Sequence, residues 1–402
     1  MASKVYFTDM RCKVGTSLLA KMDKLMLAAG IGNIDFADKF VAIKLHFGEP
    51  GNLSFLRPNF AKAVADRVKA LGGRPFLTDC NTLYVGRRKH ALEHLDSAYE
   101  NGFSPLSTGC QIIIGDGLKG TDEVEVKLEG CDEFQSTLIG RAVMDADIFI
   151  SLNHFKGHEL AGFGGAIKNI GMGCGSRAGK MAMHSIGKPT ISAKKCRGCR
   201  TCTRWCAQNA ISMNAENKAV IDHDKCVGCG RCIATCNFDA ISNKYDADSN
   251  ILNRRMAEYA LAVVQGRPHF HVSVVNQVSP NCDCHGENDA AIVPDIGIFA
   301  SFDPVALDHA CIDAVNAAPV IGNSALGQSK HHHDDHFTCV HPTTDWRSQI
   351  AHAEKIGLGY LQAAMIYNAV FDKELPETAE TNGNTAATAK SLREIAKKFT
   401  AN

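Results

Sequence analysis

Apolar residues in KFVAIKLHF (39–47) form a run too dense for an exposed strand, while FAKAVADRVKALGG (60–73) spaces them at helical intervals. RPFLTDC (74–80) returns to a short apolar run, and GRRKHALEHLDSAYENG (86–102) to a helical pattern. CQIIIGDG (110–117) and DADIFISLNHF (145–155) read as further strands. Strand and helix in alternation predict an α/β sheet covered by helices, a sandwich-like body. The pattern resumes late in the chain. NRRMAEYALAVVQ (253–265) sets Met256, Tyr259, Ala260, Val263 and Val264 on one helical face, and HFHVSVVNQV (269–278) is a strand. IVPDIGIFA (292–300) then leads to a helix with Asp303 as N-cap and Pro304 in its first position.

Between these halves the periodicity breaks. SIGKPTISAKK (185–195) and SNKYDADSN (242–250) are polar and rich in turn residues, and they bracket a cysteine-rich segment. The predicted organisation is a first part of the body over 1–187, an insertion over 188–245, a second part over 246–372, and a linker with C-terminal tail over 373–402. In that tail ELPETAETNGNTAAT is linker-like, and KSLREIAKKF reads as a short docking helix or a frayed end.

Cys196, Cys199, Cys202 and Cys206 are spaced C-x2-C-x2-C-x3-C, and Cys226, Cys229, Cys232 and Cys236 repeat the spacing. The repeat extends beyond sulfur, since Lys195, Gly198, Ala210 and Ile211 match Lys225, Gly228, Ala240 and Ile241. Two-residue steps let three thiolates curl around one corner of a cubane, and the fourth cysteine of each run ligates the other cluster. This gives Cys196, Cys199, Cys202 and Cys236 for one 4Fe-4S cluster, and Cys226, Cys229, Cys232 and Cys206 for a second. Structural zinc needs four ligands per site and does not account for a third C-x2-C step followed by x3-C, twice. The segment resembles the bacterial two-cluster ferredoxins, an α+β module. It departs from them where Ala207 and Asn237 replace the proline usual after the fourth cysteine.

Ligands of open α/β sheets bind at the carboxyl ends of strands, so polar residues there carry the candidate chemistry. Lys44 and His46 share parity at one such end, ahead of a glycine- and proline-bearing loop. Asn81 follows another, and Arg87, Arg88 and Lys89 come soon after. NHFKGHELAGFGGAIKNIGMGCGSRAGK supplies Asn153, His154, Lys156, His158, Lys168, Arg177 and Lys180 among glycines that let backbone amides approach a ligand. Lys44, His46, His154, Lys156 and His158 are the catalytic candidates, and Asn81, Asn153, Lys168, Arg177 and Lys180 the substrate-binding ones. GMGCG lacks the spacing of a dinucleotide fingerprint, so NAD is not expected. HHHDDH (331–336) reads as a solvated or phosphate-facing loop. Cys282 and Cys284 face one side of an extended backbone, and with Cys174 and either His285 or His154 they form a candidate site for an additional metal ion, iron, zinc or nickel.

Charge excludes some partners. Lys plus Arg and Asp plus Glu are both 43, which leaves no net field to concentrate nucleic acid or an anionic membrane surface. No apolar stretch approaches the roughly 20 residues of a membrane span, and MASKVYFTDM has no signal-peptide core, so a cytoplasmic protein is expected. Seventeen cysteines in such a compartment point to metal ligation or redox chemistry before disulfides.

KLHFGEPGN, FLTDCNTLY, NHFKGH, KNIGMGC, CDCHGENDAAIVPDIG, FASFDPVALD and WRSQIAHAEKIGLGY occur in that order around the cysteine repeat. With them the chain resembles domain-of-unknown-function family 362, in its form with an inserted ferredoxin module, from about residue 3 to about 370. The resemblance implies an anaerobe-associated iron-sulfur protein and no settled reaction. In fold the body is also similar to the nickel-dependent lactate racemase group, where histidines and lysines do proton chemistry on a carboxylate. The leading expectation is electron transfer between two clusters and a body site that holds a small anionic substrate or a group borne by a redox partner protein. The alternatives are a pure electron carrier docking to a larger oxidoreductase, and non-redox proton transfer with structural clusters.

Overall fold

The computed structural model describes residues 2–83, 86–184, 188–206, 208–226, 231–242, 249–330, 334–367 and 379–380. Nine strands form one mixed sheet: β1 (Ser3–Asp9), β2 (Phe40–Lys44), β3 (Arg74–Asp79), β4 (Gln111–Ile114), β5 (Ile148–His154), β6 (His269–Val275), β7 (Gly297–Ser301), β8 (Ala363–Tyr367) and β9 (Ala379–Glu380). Their spatial order is β9-β8-β1-β7-β6-β5-β2-β3-β4. From β4 to β6 every pairing is parallel, and β7 then runs against both β6 and β1. After β2 the chain winds outward through β3 and β4, then returns to lay β5 on the other side of β2. Such a reversal leaves a crevice at the strands' carboxyl ends. Lys44, Asp79 and His154 end the three strands that meet there.

The helices used below are α1 (Leu18–Ala28), α2 (Pro58–Ala70), α3 (Ala91–Glu100), α4 (Ala166–Cys174), α5 (Arg177–His184), α6 (Ser249–Val264), α7 (Pro304–Ala317) and α8 (Arg347–Lys355). Alternation along the strands sorts the core into two layers. Val41, Ile43, Ile148, Ile150 and Leu152 meet Met22 and Leu25 of α1 and Phe60 and Val64 of α2. Ala42 and Phe149 face the other way, onto Ile167 and Ile170 of α4 and Met256, Ala260 and Val263 of α6. Asp303 caps α7 by accepting from the Val305 and Ala306 amides at 2.8 and 3.0 Å, as the pattern predicts. No helix among the described residues is long and apolar enough to cross a membrane.

Two features differ from the sequence pattern. Helix α3 begins at Ala91 and not at 86, because the Arg87 amide and the Arg88 Nε both donate to Glu49, at 2.9 and 2.6 Å, and pull the preceding residues into a loop. Strand β1, which the apolar pattern does not single out, lies inside the sheet between β7 and β8. The expected linker and tail lie outside the described residues except for β9.

Between α5 and α6 the chain leaves the sheet. Thr190–Ile191 pairs with Ile241–Ser242, and Ile211–Met213 with Ala219–Ile221, all antiparallel, with short helices at Thr201–Trp205 and Arg231–Thr235.

Helices α4 and α6 cross almost backbone to backbone at Gly171, where an added Cβ would lie 2.1 Å from the Met256 carbonyl oxygen. Gly171→Ala therefore forces the helices apart and should cost about 1–3 kcal/mol, read as a lowered midpoint in urea unfolding. Gly322→Ala, at a position with open space around it, is the control and should be near neutral. Equal midpoints for the two variants would contradict the close crossing.

Candidate functional site

A cavity of about 470 Å³ lies over the carboxyl ends of β2, β3 and β5. Lys44 and His46 enter it from β2 and its extension, Asp79 from β3, and Arg88 from the loop that Glu49 holds. Lys156, His158 and Glu159 follow β5, and Lys168 comes from α4. Lys180 and His184 come from α5, and Cys284 and His285 from the loop after β6.

Buried charges here are paired, as a medium of low polarity requires. Lys44 Nζ lies 2.9 Å from Asp79 and donates to Asn169 Oδ1 at 2.7 Å. Burial alone would raise the Asp79 carboxyl, but Lys44, His94 and His46 hold it below the usual carboxylate range. Behind Lys156, Asp283 takes the same role. Burial opposes its charge, yet His154 and Lys156, at 2.8 and 3.5 Å, keep it below that range. His46 sits well below its ordinary value, through burial first and the Arg88 cation second. His158 is lowered by burial and by Lys168. Its Nδ1 accepts from the Leu160 and Ala161 amides, both at 3.1 Å, so its proton sits on Nε2. Lys180 is held by the Gly175 and Gly173 carbonyls at 2.6 and 3.3 Å, not by a carboxylate.

Six of the sequence candidates, Lys44, His46, Lys156, His158, Lys168 and Lys180, thus meet around one cavity. Others do not line it. His154 is a buried strut whose Nδ1 meets Asp283 and whose Nε2 meets the Asn276 carbonyl at 2.8 Å, so both nitrogens are engaged. Asn81 fixes the turn after β3 through Asp116 and the Gly117 carbonyl, at 2.7 and 2.9 Å. Asn153 accepts from Asn169 at 2.8 Å and so acts on Lys44 at one remove. Arg177 is buried and donates to the Lys89 carbonyl at 3.1 Å. One glycine also acts differently from expectation. A Cβ at Gly173 would fall 2.4 Å from Lys44 Nζ, so this glycine makes room for a lysine.

Sequence reasoning missed Glu159, His184 and Asn169. Glu159 and His184 each stand in a segment already singled out, directly after His158 and at the end of α5, while Asn169 gave no signal beyond its helix. In HHHDDH, residues 331–333 lie outside the described residues; Asp335 caps the helix His336–Val340 and accepts from Trp346 Nε1 at 2.6 Å.

Cys282 and Cys284 do come together. Cys284 favours the thiolate of Cys282, and Lys168 Nζ donates to the Cys282 sulfur at 3.3 Å. The Cys282 thiol is therefore well below its ordinary value, through Cys284 first and then Lys168 and His158, while Cys284 is raised. Cys174 is not part of this pair. It is buried at the end of α4, where its carbonyl accepts from the Cys80 thiol at 3.4 Å, and burial raises its own thiol to about 11.

The inserted segment carries a second cysteine site. Cys196, Cys199, Cys202 and Cys236 line one small cavity. The two halves repeat in detail: the amides of Ala210 and Ala240 donate to the sulfurs of Cys206 and Cys236 at 3.2 and 3.4 Å, and Asn209 and Asp239 before them have φ of 49° and 48°. Of the second cysteine set, Cys229 lies outside the described residues. The segment abuts the body. Lys89 Nζ donates to the Cys236 carbonyl at 3.1 Å, and Leu83 and Met181 share one apolar cluster with Cys196, Cys202, Cys232 and Cys236.

Burial lowers His94 and His184 to about 3 each. Below about 6.5 the unfolded chain binds protons that these folded residues refuse, so each subtracts about 1.4 kcal/mol of stability per pH unit until its folded value is reached. Asp116, Asp308 and Asp313, raised to about 7 by burial, act with the opposite sign, so the informative quantity is a difference between variants. His94→Leu should lose stability less steeply than wild type between pH 6 and 4, by about 1.4 kcal/mol per unit in urea titrations. Parallel profiles would show that His94 is charged in the folded protein.

A thylakoid-associated protein of Synechocystis sp. is 30% identical over 165 residues, which cover 39% of this chain and 46% of that protein. The chain thus spans about half the length of this curated relative. The lactate racemase apoprotein from Thermoanaerobacterium thermosaccharolyticum shares 13% identity at a TM-score of 0.33, over 68% of this chain and 51% of that one. The family model described as domain of unknown function 362 matches residues 41–313, a span that holds β2, β3, β5 and every residue named above as lining the cavity. The chain belongs to that family.

Proposed function

We propose that the protein is an iron-sulfur redox protein in which two 4Fe-4S clusters exchange electrons with the body cavity, where a small anionic substrate or a partner-borne group is held. The donor chemistry fits. Four thiols converge on one small cavity, yet no three of their sulfurs lie within 4.8 Å of one another. A tetrahedral zinc with Zn–S near 2.3 Å would draw them closer than that, whereas a cubane separates its ligands by its own width. Amides aimed at Cys196, Cys206 and Cys236 are the hydrogen bonds that tune cluster thiolates. When bound, such clusters supply single electrons at low potential.

The observation that carries the reading is Leu83, which lines the body cavity and also belongs to the apolar cluster of Cys196, Cys202, Cys232 and Cys236. One side chain therefore belongs to the surroundings of both sites. Within the cavity, Lys180 has only carbonyl oxygens as partners among the described residues, and its cation favours an anion there. The His158 Nε2 proton, which faces the Cys282 sulfur, is the one this residue can give to a product that gains electrons.

Anaerobically prepared protein should carry about eight irons per chain, and Cys236→Ala about half of that. Iron near zero with zinc near two would overturn the cluster assignment. Lys180→Gln should slow oxidation of the reduced protein by small carboxylates at least about tenfold while leaving the cluster spectrum unchanged. Unaltered electron transfer in that variant, to carboxylates and to partner proteins alike, would favour the pure carrier.

A further inference from the structure

Glu159, Cys284 and His285 have no assigned part in the proposed electron transfer. They come from two loops, one after β5 and one after β6, yet one ligand atom from each lies within 4.8 Å of the other two. Sulfur, imidazole nitrogen and carboxylate oxygen together are a ligand set for a divalent transition ion of the zinc type. A second, independent feature points to a missing cation. Glu159 accepts from His285 Nε2 through Oε1 at 3.0 Å, but its Oε2 is buried without a hydrogen-bond partner among the described residues. An orphaned carboxylate oxygen of this kind is costly, and a cation would satisfy it.

The surroundings hold these residues in place. The Asp283 carbonyl accepts from the Glu49 amide at 3.1 Å, and the His285 carbonyl from Asn52 Nδ2 at 3.0 Å, so the loop carrying both Cys284 and His285 is tied down on either side. The Cys282 thiol meets Cys284, and Lys168 donates to it. Ligating groups with their own fixed partners bind metal more tightly than free ones.

We propose that Glu159, Cys284 and His285, with Cys282 beside them, bind one divalent transition-metal ion, zinc by its ligand chemistry, at the mouth of the cavity. Three protein ligands leave a position for an anionic oxygen, which Lys168 can also reach. The inference rests on the cavity being the reaction site, and it does not require the clusters.

The test uses full-length anaerobic protein exposed to Zn²⁺ alone, freed of loose metal on a column, and read by elemental analysis and by X-ray absorption at the zinc edge, which does not see iron. One zinc per chain is expected, with mixed sulfur and nitrogen or oxygen neighbours and Zn–S of about 2.3 Å. Cys284→Ser and His285→Gln should lose that zinc with iron content and unfolding midpoint unchanged. Glu159→Gln, which keeps the hydrogen bond to His285, should weaken binding about tenfold or more. Absence of zinc in wild type, equal zinc in the variants, or a shell of four sulfurs marking the inserted segment's thiols would overturn the assignment. Because iron is counted separately, loss of iron with zinc retained would refute the cluster reading and leave this site standing.

Discussion

A lysine and an aspartate buried side by side, at the ends of two neighbouring parallel strands, fix the floor of the cavity. Lys44 and Asp79 are 2.9 Å apart and almost wholly shielded from water. Removing one partner of such a pair strands the other and costs about 3–5 kcal/mol, far more than the intact pair contributes. The fold is therefore obliged to keep them together. Asn169 reaches from α4 to Lys44, Asn153 fixes Asn169, and Gly173 leaves the volume the lysine occupies. The His154, Asp283 and Lys156 group repeats the arrangement one strand over, joining β5 to the loop after β6. The floor is rigid because its charges cannot be separated cheaply, while the rim, where Glu159 and His285 are partly exposed, is free of that constraint.

What the sequence conveys about this arrangement follows from how far each interaction reaches. Apolar periodicity is local, so β2, β3, β5, β6 and the Asp303 cap of α7 are legible without a structure. The strand-end rule then finds Lys44, His46, Lys156, His158, Lys168 and Lys180, because parity and proximity to a strand terminus suffice. Partners distant in sequence are another matter. His154 reads as a proton-transfer residue until Asp283, 129 positions later, is seen to engage it. Arg88 sits in a stretch that scans as helix, and only Glu49 shows why it is a loop. Gly173 beside Lys44 suggests phosphate-style amide contacts, although what it accommodates is a side chain.

The cysteine repeat is legible for a different reason, since its information lies in spacing along a short segment. The structural echo of that spacing extends to backbone conformation. Asn209 and Asp239 occupy the left-handed region, each directly preceding the alanine whose amide turns back to a cysteine sulfur. Asparagine and aspartate tolerate that conformation better than other non-glycine residues, so both halves can make the same turn back to sulfur. Sequence spacing gives no hint of which body surface the segment meets. That surface includes Leu83, Lys89 and Met181, whose positions along the chain say nothing of the cysteine segment.

Charge balance ties the two sites together. Lys44, Lys156 and Arg88 each face a carboxylate, but Lys180 has only carbonyl oxygens and Lys168 a sulfur. Carbonyl dipoles stabilise an ammonium without neutralising it, so Lys180 keeps an unbalanced positive charge in surroundings that screen it weakly, while the Cys282 sulfur balances Lys168. A small anion entering the cavity meets that charge already in place, with the lysine held by packing and hydrogen bonds and no need to reorganise. An anion that then gains electrons increases its negative charge, and the same lysine stabilises the more highly charged state more strongly than the starting one. In the electron-transfer reading proposed above, the imbalance that favours binding also favours reduction over simple retention.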